Sequence, residues 1–236
     1  MKPTAERYYD EFSRDYEVHR HYGYHRMLDD LEVELALRYS DGPVLEAGCG
    51  TGLLLSRIAA ERPGSRGFDL SRGMLAHARD RDLSVAQADA TALPFPNESF
   101  DAVVSFKVLA HIPPIERCLA ELARVTRPGG HLVLEFYNRH SLRYLLKRAK
   151  RPSPIGSRFT DDDVFTRYDT LDEICGYLPA STPFEAVHGV RVLTPVAQAH
   201  DLPLVGPTLA WVERGARDLW GLRRLGGFIV VVARKR

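Results

Sequence analysis

Nothing in the chain is apolar for long enough to cross a bilayer, and its first residues lack the apolar run of a signal peptide. Cysteine is scarce. Cys49, Cys118 and Cys175 are odd in number, far apart and without zinc-ligand spacing, which excludes a disulfide scaffold and fits a reduced, cytoplasmic setting. Neither sign of charge is in excess: 32 basic residues face 31 acids, a formal net charge of +1, so nothing pulls the whole chain toward nucleic acid or membrane. Internal repeats and low-complexity tracts are missing too. What remains, 236 residues of which 44% are hydrophobic and 27% charged, suits one generous globular domain with a real core, or one with insertions.

The organising stretch is Val44-Leu45-Glu46-Ala47-Gly48-Cys49-Gly50-Thr51-Gly52. A short apolar strand signal, Pro43–Glu46, runs into it, and a helical pattern over Leu53–Glu61 follows. Glycines at such a bend let the backbone approach a ligand closely, at the N-terminus of a helix. Asp69 closes the next apolar stretch at about the 20-residue distance where an acid meets a ribose hydroxyl pair. The spacing is G-x-G-x-G, not the G-x-G-x-x-G of dinucleotide enzymes, which argues against an NAD-type oxidoreductase. A non-catalytic cofactor-binding protein keeps the same turn and stays open.

From residue 43 strand and helix alternate, which argues for a parallel sheet. Gly67–Asp69 is the second strand, with a helix from Ser71. Leu83–Ala88 is the third, ending at Asp89-Ala90, and Phe100–Ser105 the fourth. A helix bearing Ile115, Leu119, Leu122 and Val125 follows, then a Pro128-Gly129-Gly130 turn into a fifth strand, His131–Tyr137. Strand signals at Phe184–Leu193 and Phe228–Val232 flank a Pro- and Leu-rich segment with helix over Trp211–Trp220.

Glu46-x-Gly48-x-Gly50-x-Gly52, Ala88-Asp89-Ala90, Leu93-Pro94-Phe95-Pro96, Ser99-Phe100-Asp101 and Arg124–Gly130 together resemble the class I S-adenosylmethionine-dependent methyltransferases. The likeness is to their small-molecule branch, which includes the ubiquinone and menaquinone biosynthesis enzymes, and it covers about residues 40–137. Glu46 stands where many members carry aspartate, which keeps the charge. The resemblance implies an α/β, Rossmann-like doubly wound sheet of seven mostly parallel strands, with the last strand antiparallel and inserted beside the fifth. An N-terminal helical lid over 1–42 would precede a domain over 43–236, with C-terminal insertions at 138–169 and 194–226. It further implies S-adenosyl-L-methionine as cofactor, S-adenosyl-L-homocysteine as product, and O-, N- or C-methylation of a small, apolar or lipid-like substrate.

Carried over residue by residue, the cofactor site would comprise Glu46, Gly48, Gly50, Gly52, Asp69, Leu70, Met74, Asp89, Ala90 and Phe106, with Tyr16 from the lid. Asp69 would face the ribose, Leu70 and Met74 the adenine, and Asp89 with Ala90 its edge; Met74 suits core packing equally. Asp101 opens a strand and is no site residue. Catalytic candidates, needed where the acceptor must lose a proton, are His111, Tyr9 and His25; His111 also suits a structural helix start.

Outside the resemblance, Tyr8, Tyr9, Phe12, Tyr16, Tyr22 and Tyr24 crowd with His19, His21 and His25, either as a lid offering ring faces to a sulfonium or as packing. His21, His25 and Asp29 fall at i, i+4, i+8 but lack a fourth ligand, so no metal is expected. Asn138–Arg151 is basic, acid-free and amphipathic, suited to peripheral membrane contact over 139–151 or to a solvated face over the site. Thr160–Asp163 reads as a helix N-cap and Thr170–Glu173 as a capping box. Leu202, Leu204, Leu209, Trp211 and Trp220 suit a greasy pocket wall or an oligomer face.

Overall fold

The chain alternates between the two periodicities that its apolar residues set. In the computed structural model, which describes residues 4–18, 20, 23–149, 154–155, 159–160, 162–194 and 196–236, two helices lead: α1 (Ala5–Phe12) and α2 (Gly23–Arg38). Then come β1 (Val44–Ala47), α3 (Leu53–Glu61), β2 (Arg66–Asp69), α4 (Arg72–Arg79), β3 (Val85–Gln87), β4 (Phe100–Ser105), α5 (Ile115–Val125) and β5 (Thr126–Tyr137). Helix α6 (Leu142–Ala149), a ribbon of β6 (Pro154–Ile155) with β7 (Phe159–Thr160), and α7 (Leu171–Tyr177) precede β8 (Phe184–Val190). Helix α8 (Val205–Asp218) separates β8 from β9 (Phe228–Arg234).

Seven strands form one sheet in the order β3-β2-β1-β4-β5-β9-β8. Strands β1 to β5 pair in parallel, and β9 lies antiparallel to both neighbours. This is the Rossmann-like, doubly wound architecture expected, with the last strand inserted beside the fifth. Alternation along each strand divides the core. Leu45, Val103, Leu132, Leu134 and Val231 pack on α5 and α7 through Leu119, Leu122 and Ile174. Val44, Ala102, Val104, Val133 and Val230 face Leu28, Leu31 and Leu35 of α2 and Ile58 of α3. Helix α2 is therefore a layer of the core, and its apolar residues recur at helical spacing.

Local chemistry moves several boundaries. Pro128-Gly129-Gly130 makes no turn: β5 starts at Thr126 and runs through it, taking up the irregularity as a register shift against β4 and a left-handed Gly129, φ 78°. Strand β8 stops at Val190 because Arg191 is left-handed, φ 58°. Helix α8 begins six residues before Trp211, since Pro207 falls in its first turn, where no intrahelical donor is lost. Among the described residues 162–170 no helix forms; the Thr160 amide and hydroxyl instead donate to Asp163 Oδ2 at 2.8 and 3.1 Å. The capping box at Thr170 and Glu173 is present as read. Asp101 accepts the Gly42 amide at 2.7 Å and staples the turn before β1.

Candidate functional site

All three glycines of the turn after β1 are left-handed, with φ of 74°, 53° and 83° at Gly48, Gly50 and Gly52. Their roles differ. A methyl group on Gly48 would lie 2.3 Å from Val108 Cγ2, and one on Gly52 2.4 Å from Leu83 Cδ1, so these two glycines let the turn pack. On Gly50 it would meet nothing nearer than Met74 Sδ at 4.0 Å, which leaves an open cradle. Asp69, the last residue of β2, faces that cradle. Its Oδ2 accepts the Gly50 amide at 2.9 Å and its Oδ1 the Ser71 amide at 2.9 Å. Burial raises the pKa of Asp69 against the pull of those amides.

Helix α1 is tied down beside this carboxylate. Asp10 Oδ1 accepts the Ser71 hydroxyl at 2.5 Å and the Gly73 amide at 2.9 Å, at the N-terminus of α4. The approach is close enough that a methyl group on Gly73 would lie 2.6 Å from Ser13 Oγ. Tyr8 is buried against Tyr9 and Phe159. The Tyr9 hydroxyl is held well above its ordinary pKa by burial first, then by Tyr137, Tyr8 and Asp69, so it is a donor at neutral pH. Tyr16 packs edge-on to Phe12, and the Arg20 guanidinium lies 4.5 Å from its ring centre.

His111 follows β4. Its Nδ1 lies 2.8 Å from the Phe165 carbonyl, which places the proton on Nδ1 and leaves Nε2 facing the Tyr137 hydroxyl at 3.4 Å. The Tyr9 ring is 6.1 Å away. Burial lowers the His111 pKa, so the ring is neutral and its Nε2 lone pair can accept a proton. Burial also lowers His25, to about 4, helped by Arg20 and Lys107.

Between α2 and the carboxyl edge of the sheet lies a buried charge cluster. Lys107 Nζ is 2.8 Å from Glu32 Oε1 and 3.4 Å from Asp29, which also pairs with Arg20 at 3.1 Å. The Lys107 amide donates to Glu135 Oε1 at 3.2 Å. Oε2 of Glu32, Glu46 and Glu135 is buried with no hydrogen-bond partner. Burial pushes Glu32 to about 7 against Lys107, and pushes Glu46 and Glu135 well above the carboxylate range.

The structure gathers Gly48, Gly50, Gly52, Asp69, Met74, Tyr9 and His111 at one edge of the sheet, where such sheets bind ligands. Tyr16, His25 and Glu46 belong to the charge cluster beneath α2 or its margin, as the groups that perturb them show. Asp89 is exposed and turned back on its own loop, its Oδ1 taking the Thr91 amide and hydroxyl at 2.8 Å each; Ala90 is half-buried against the α5 side of the core. Leu70 is exposed, and Phe106 is buried in the core against α2. His19, His21, Tyr22, Lys150, Arg151 and Asp161 lie outside the described residues. Leu202, Leu204, Trp211 and Trp220 are exposed. Sequence reading missed Asp10, Glu32, Lys107, Glu135 and Tyr137. Only Glu135 was signalled, as a lone acid in Leu132–Phe136.

These residues fit the cofactor that the sequence resemblance implies. The space beside Gly50 admits a ligand against the backbone, Asp69 can accept from hydroxyls, Met74 offers an apolar floor, and Tyr9 offers an aromatic ring beside Asp69. Fold and turn together have the form of the class I methyltransferases, the proteins that use S-adenosyl-L-methionine. Residues 45–134 match the family described as "Methyltransferase domain". A phosphatidylethanolamine N-methyltransferase of Cereibacter sphaeroides is 41% identical over 101 residues, 39% of this chain and 49% of that protein. A ubiquinone/menaquinone biosynthesis C-methyltransferase of Methylococcus capsulatus is 36% identical over 140 residues, 54% of this chain and 55% of that one. The chain thus spans about half the length of these curated relatives. A Thermotoga maritima SAM-dependent methyltransferase, titled a possible histamine N-methyltransferase, superposes with a TM-score of 0.70 at 24% identity over 98% of both chains, which shows the shared fold.

Proposed function

We propose that the chain transfers a methyl group from S-adenosyl-L-methionine to a small, apolar or lipid-like metabolite. The observation that carries this reading is the open cradle at Gly50 faced by Asp69, inside the stretch that matches the family. Lipid and quinone substrates in the names of the two relatives support the substrate class. The cofactor, when bound, supplies a methyl group already activated on a sulfonium. Asp69 would accept from the ribose hydroxyls, and the open backbone at Gly50 would lie against the ligand. Tyr9 donates from a phenol that stays protonated, and closure of α1 over the edge excludes water. Where the acceptor carries an acidic proton, His111 Nε2 takes it; His25 is the alternative base.

In the same proposal Leu70, Met74, Asp89 and Ala90 serve the cofactor directly, while Tyr16, Glu46 and Phe106, packed beneath α2, serve it by supporting that edge of the sheet. Residues 1–42 act as the lid region of a domain over 43–236, with insertions at 138–169 and 194–226, and the part that moves is α1 with the tyrosines beside it. Helix α6 leaves Leu142, Leu145 and Leu146 exposed beside its basic residues, which supports contact of 139–151 with anionic lipid. No described helix is long and apolar enough to cross a membrane. We place the chain in the cytoplasm, working on small molecules and not on nucleic acid.

Calorimetry against S-adenosyl-L-homocysteine and NAD, followed by a screen of lipid amines and quinols with methyl-labelled cofactor, tests the reading. Binding of S-adenosyl-L-homocysteine and label in one substrate class are expected. Tight NAD binding with no S-adenosyl ligand bound would sink it.

A further inference from the structure

Two of the basic residues in and before helix α6 are paired with acids. Lys147 lies 3.8 Å from Asp162, and just before the helix Arg139 pairs with Glu173 at 2.9 Å. Arg143 does something else. Its guanidinium carbon lies 4.6 Å from the ring centre of Tyr137 and 4.7 Å from that of Phe228, held over the last residue of β5 and the first of β9. Its Nη1 is buried with no hydrogen-bond partner, and among the described residues no carboxylate forms an ion pair with it. The side chain as a whole is half-buried, but a donor nitrogen taken from water with no acceptor is costly.

A second arginine has its stem beside the first. Arg191, the left-handed residue that ends β8, stacks on Tyr24 at 5.1 Å and also lacks an acidic partner among the described residues. The two stems flank one glycine: a methyl group on Gly227 would lie 3.2 Å from Arg143 Cδ and 3.2 Å from Arg191 Cδ. Gly227 therefore makes room for both forks. Glu135 feels the charge of Arg143, but its Oε1 is taken by the Lys107 amide and its burial favours its neutral form.

The sheet order says what this pair is near. The glycine cradle and Asp69 belong to β1 and β2, while Arg143 and Arg191 stand over β5, β9 and β8, beyond β4. His111 and Tyr137 lie between the two places. A ligand reaching from the arginines toward the cradle would pass the imidazole that can accept a proton.

We propose that Arg143 and Arg191 form a two-guanidinium clamp that holds an oxyanion, phosphate or carboxylate, on the head of the methyl acceptor. The proposal rests on the methyl-transfer reading and narrows its substrate class from lipid-like to lipid-like and anionic. Planar forks framed by aromatic rings suit such a group, since they offer paired donors at little cost in side-chain freedom.

The test uses the full chain saturated with S-adenosyl-L-homocysteine and three probes: phenyl phosphate, benzoate and uncharged benzamide. The wild type should bind at least one anion about tenfold or more tightly than benzamide, and that preference should weaken with salt. Arg143→Met and Arg191→Met should each reduce the preference several-fold and the double variant should abolish it, while Arg143→Lys keeps part of it. Whichever anion binds better identifies the head group. Melting temperature and S-adenosyl-L-homocysteine affinity should stay near wild type, which separates loss of the clamp from misfolding. Benzamide bound as tightly as both anions, no probe bound, or an anion preference surviving in the double variant would each overturn the clamp. Failure of S-adenosyl-L-homocysteine to bind would instead refute the methyl-transfer reading, and the anion arm, run without it, would still report on the arginines.

Discussion

Replacing Asp69 by alanine removes two kinds of contact at once, and they can be measured apart. Within the protein, the Gly50 and Ser71 amides lose their acceptors, each now 2.9 Å away. A buried donor left unsatisfied costs about 1–3 kcal/mol, and with some access for water the pair should cost the fold roughly 2–4 kcal/mol. Toward the ligand, the lost bond is from a ribose hydroxyl to a charged group. Such bonds contribute about 1.5–3 kcal/mol, so affinity should fall about 10- to 150-fold. Asp69→Asn keeps one acceptor oxygen and should lie between wild type and alanine in both readings. Urea unfolding reads the first quantity, and calorimetry with S-adenosyl-L-homocysteine on demonstrably folded protein reads the second. A folded Asp69→Ala protein with wild-type affinity would refute the ribose assignment, and a wild-type unfolding curve would refute the account of the turn.

Removing the Asp10 carboxylate (Asp10→Ala) should free α1 from α4. Amide exchange over residues 5–16 should then rise severalfold without ligand, and turnover should suffer more than cofactor affinity. If exchange there is the same with and without ligand in the wild type, the tyrosines are packing residues and no lid exists. Glu32 gives a pH signature: its pKa rises from 4.5 unfolded to about 7 folded, chiefly by burial. The folded state then holds the proton longer, so this group's contribution is full below pH 4.5 and is lost as pH climbs to 7, by up to ~3 kcal/mol. Glu32→Gln should flatten the stability profile between pH 5 and 7.5; an unchanged slope would assign it elsewhere. Finally, vesicle binding through Leu142, Leu145 and Leu146 should rise with anionic lipid and fall with salt, and equal sedimentation with neutral vesicles would return α6 to a solvated face.

The sheet was legible because its signals are local. Val44 and Leu45 point to opposite faces, Leu28, Leu31 and Leu35 repeat at helical spacing, and Thr170 with Glu173 closes a capping box, so neighbours in sequence carry the message. Asp69 and the glycine turn were legible for the same reason. The charge cluster was not. Glu32 reads as one more acid on the polar side of a helix, and only the packing of α2 on the sheet turns it toward Lys107 and Glu135. Lys107 adopts a left-handed backbone, φ 61°, that no residue type announces. Arg143 was hidden by company: amid Arg139, Lys147 and Arg148 it looks like surface charge, and its burial depends on Phe228, far along the chain. The expected role of Phe106 fails to show a ligand-facing side chain because strand alternation points it into the α2 face.

The place of β9 bears on how the molecule assembles. Strand β8 joins the sheet only through β9, and β5 has β9 along one whole side from His131 to Tyr137. Until residues 228–234 dock, both strands present open backbone edges, rich in valine and leucine, of the kind that invite pairing with another chain. Closing them requires contacts across the 37 residues of helix and loop, 191–227, between β8 and β9, which slows the search relative to local pairing. Variants that destabilise α8 or the approach to β9 should therefore show themselves first as aggregation during refolding, before any loss of stability in protein that has already folded.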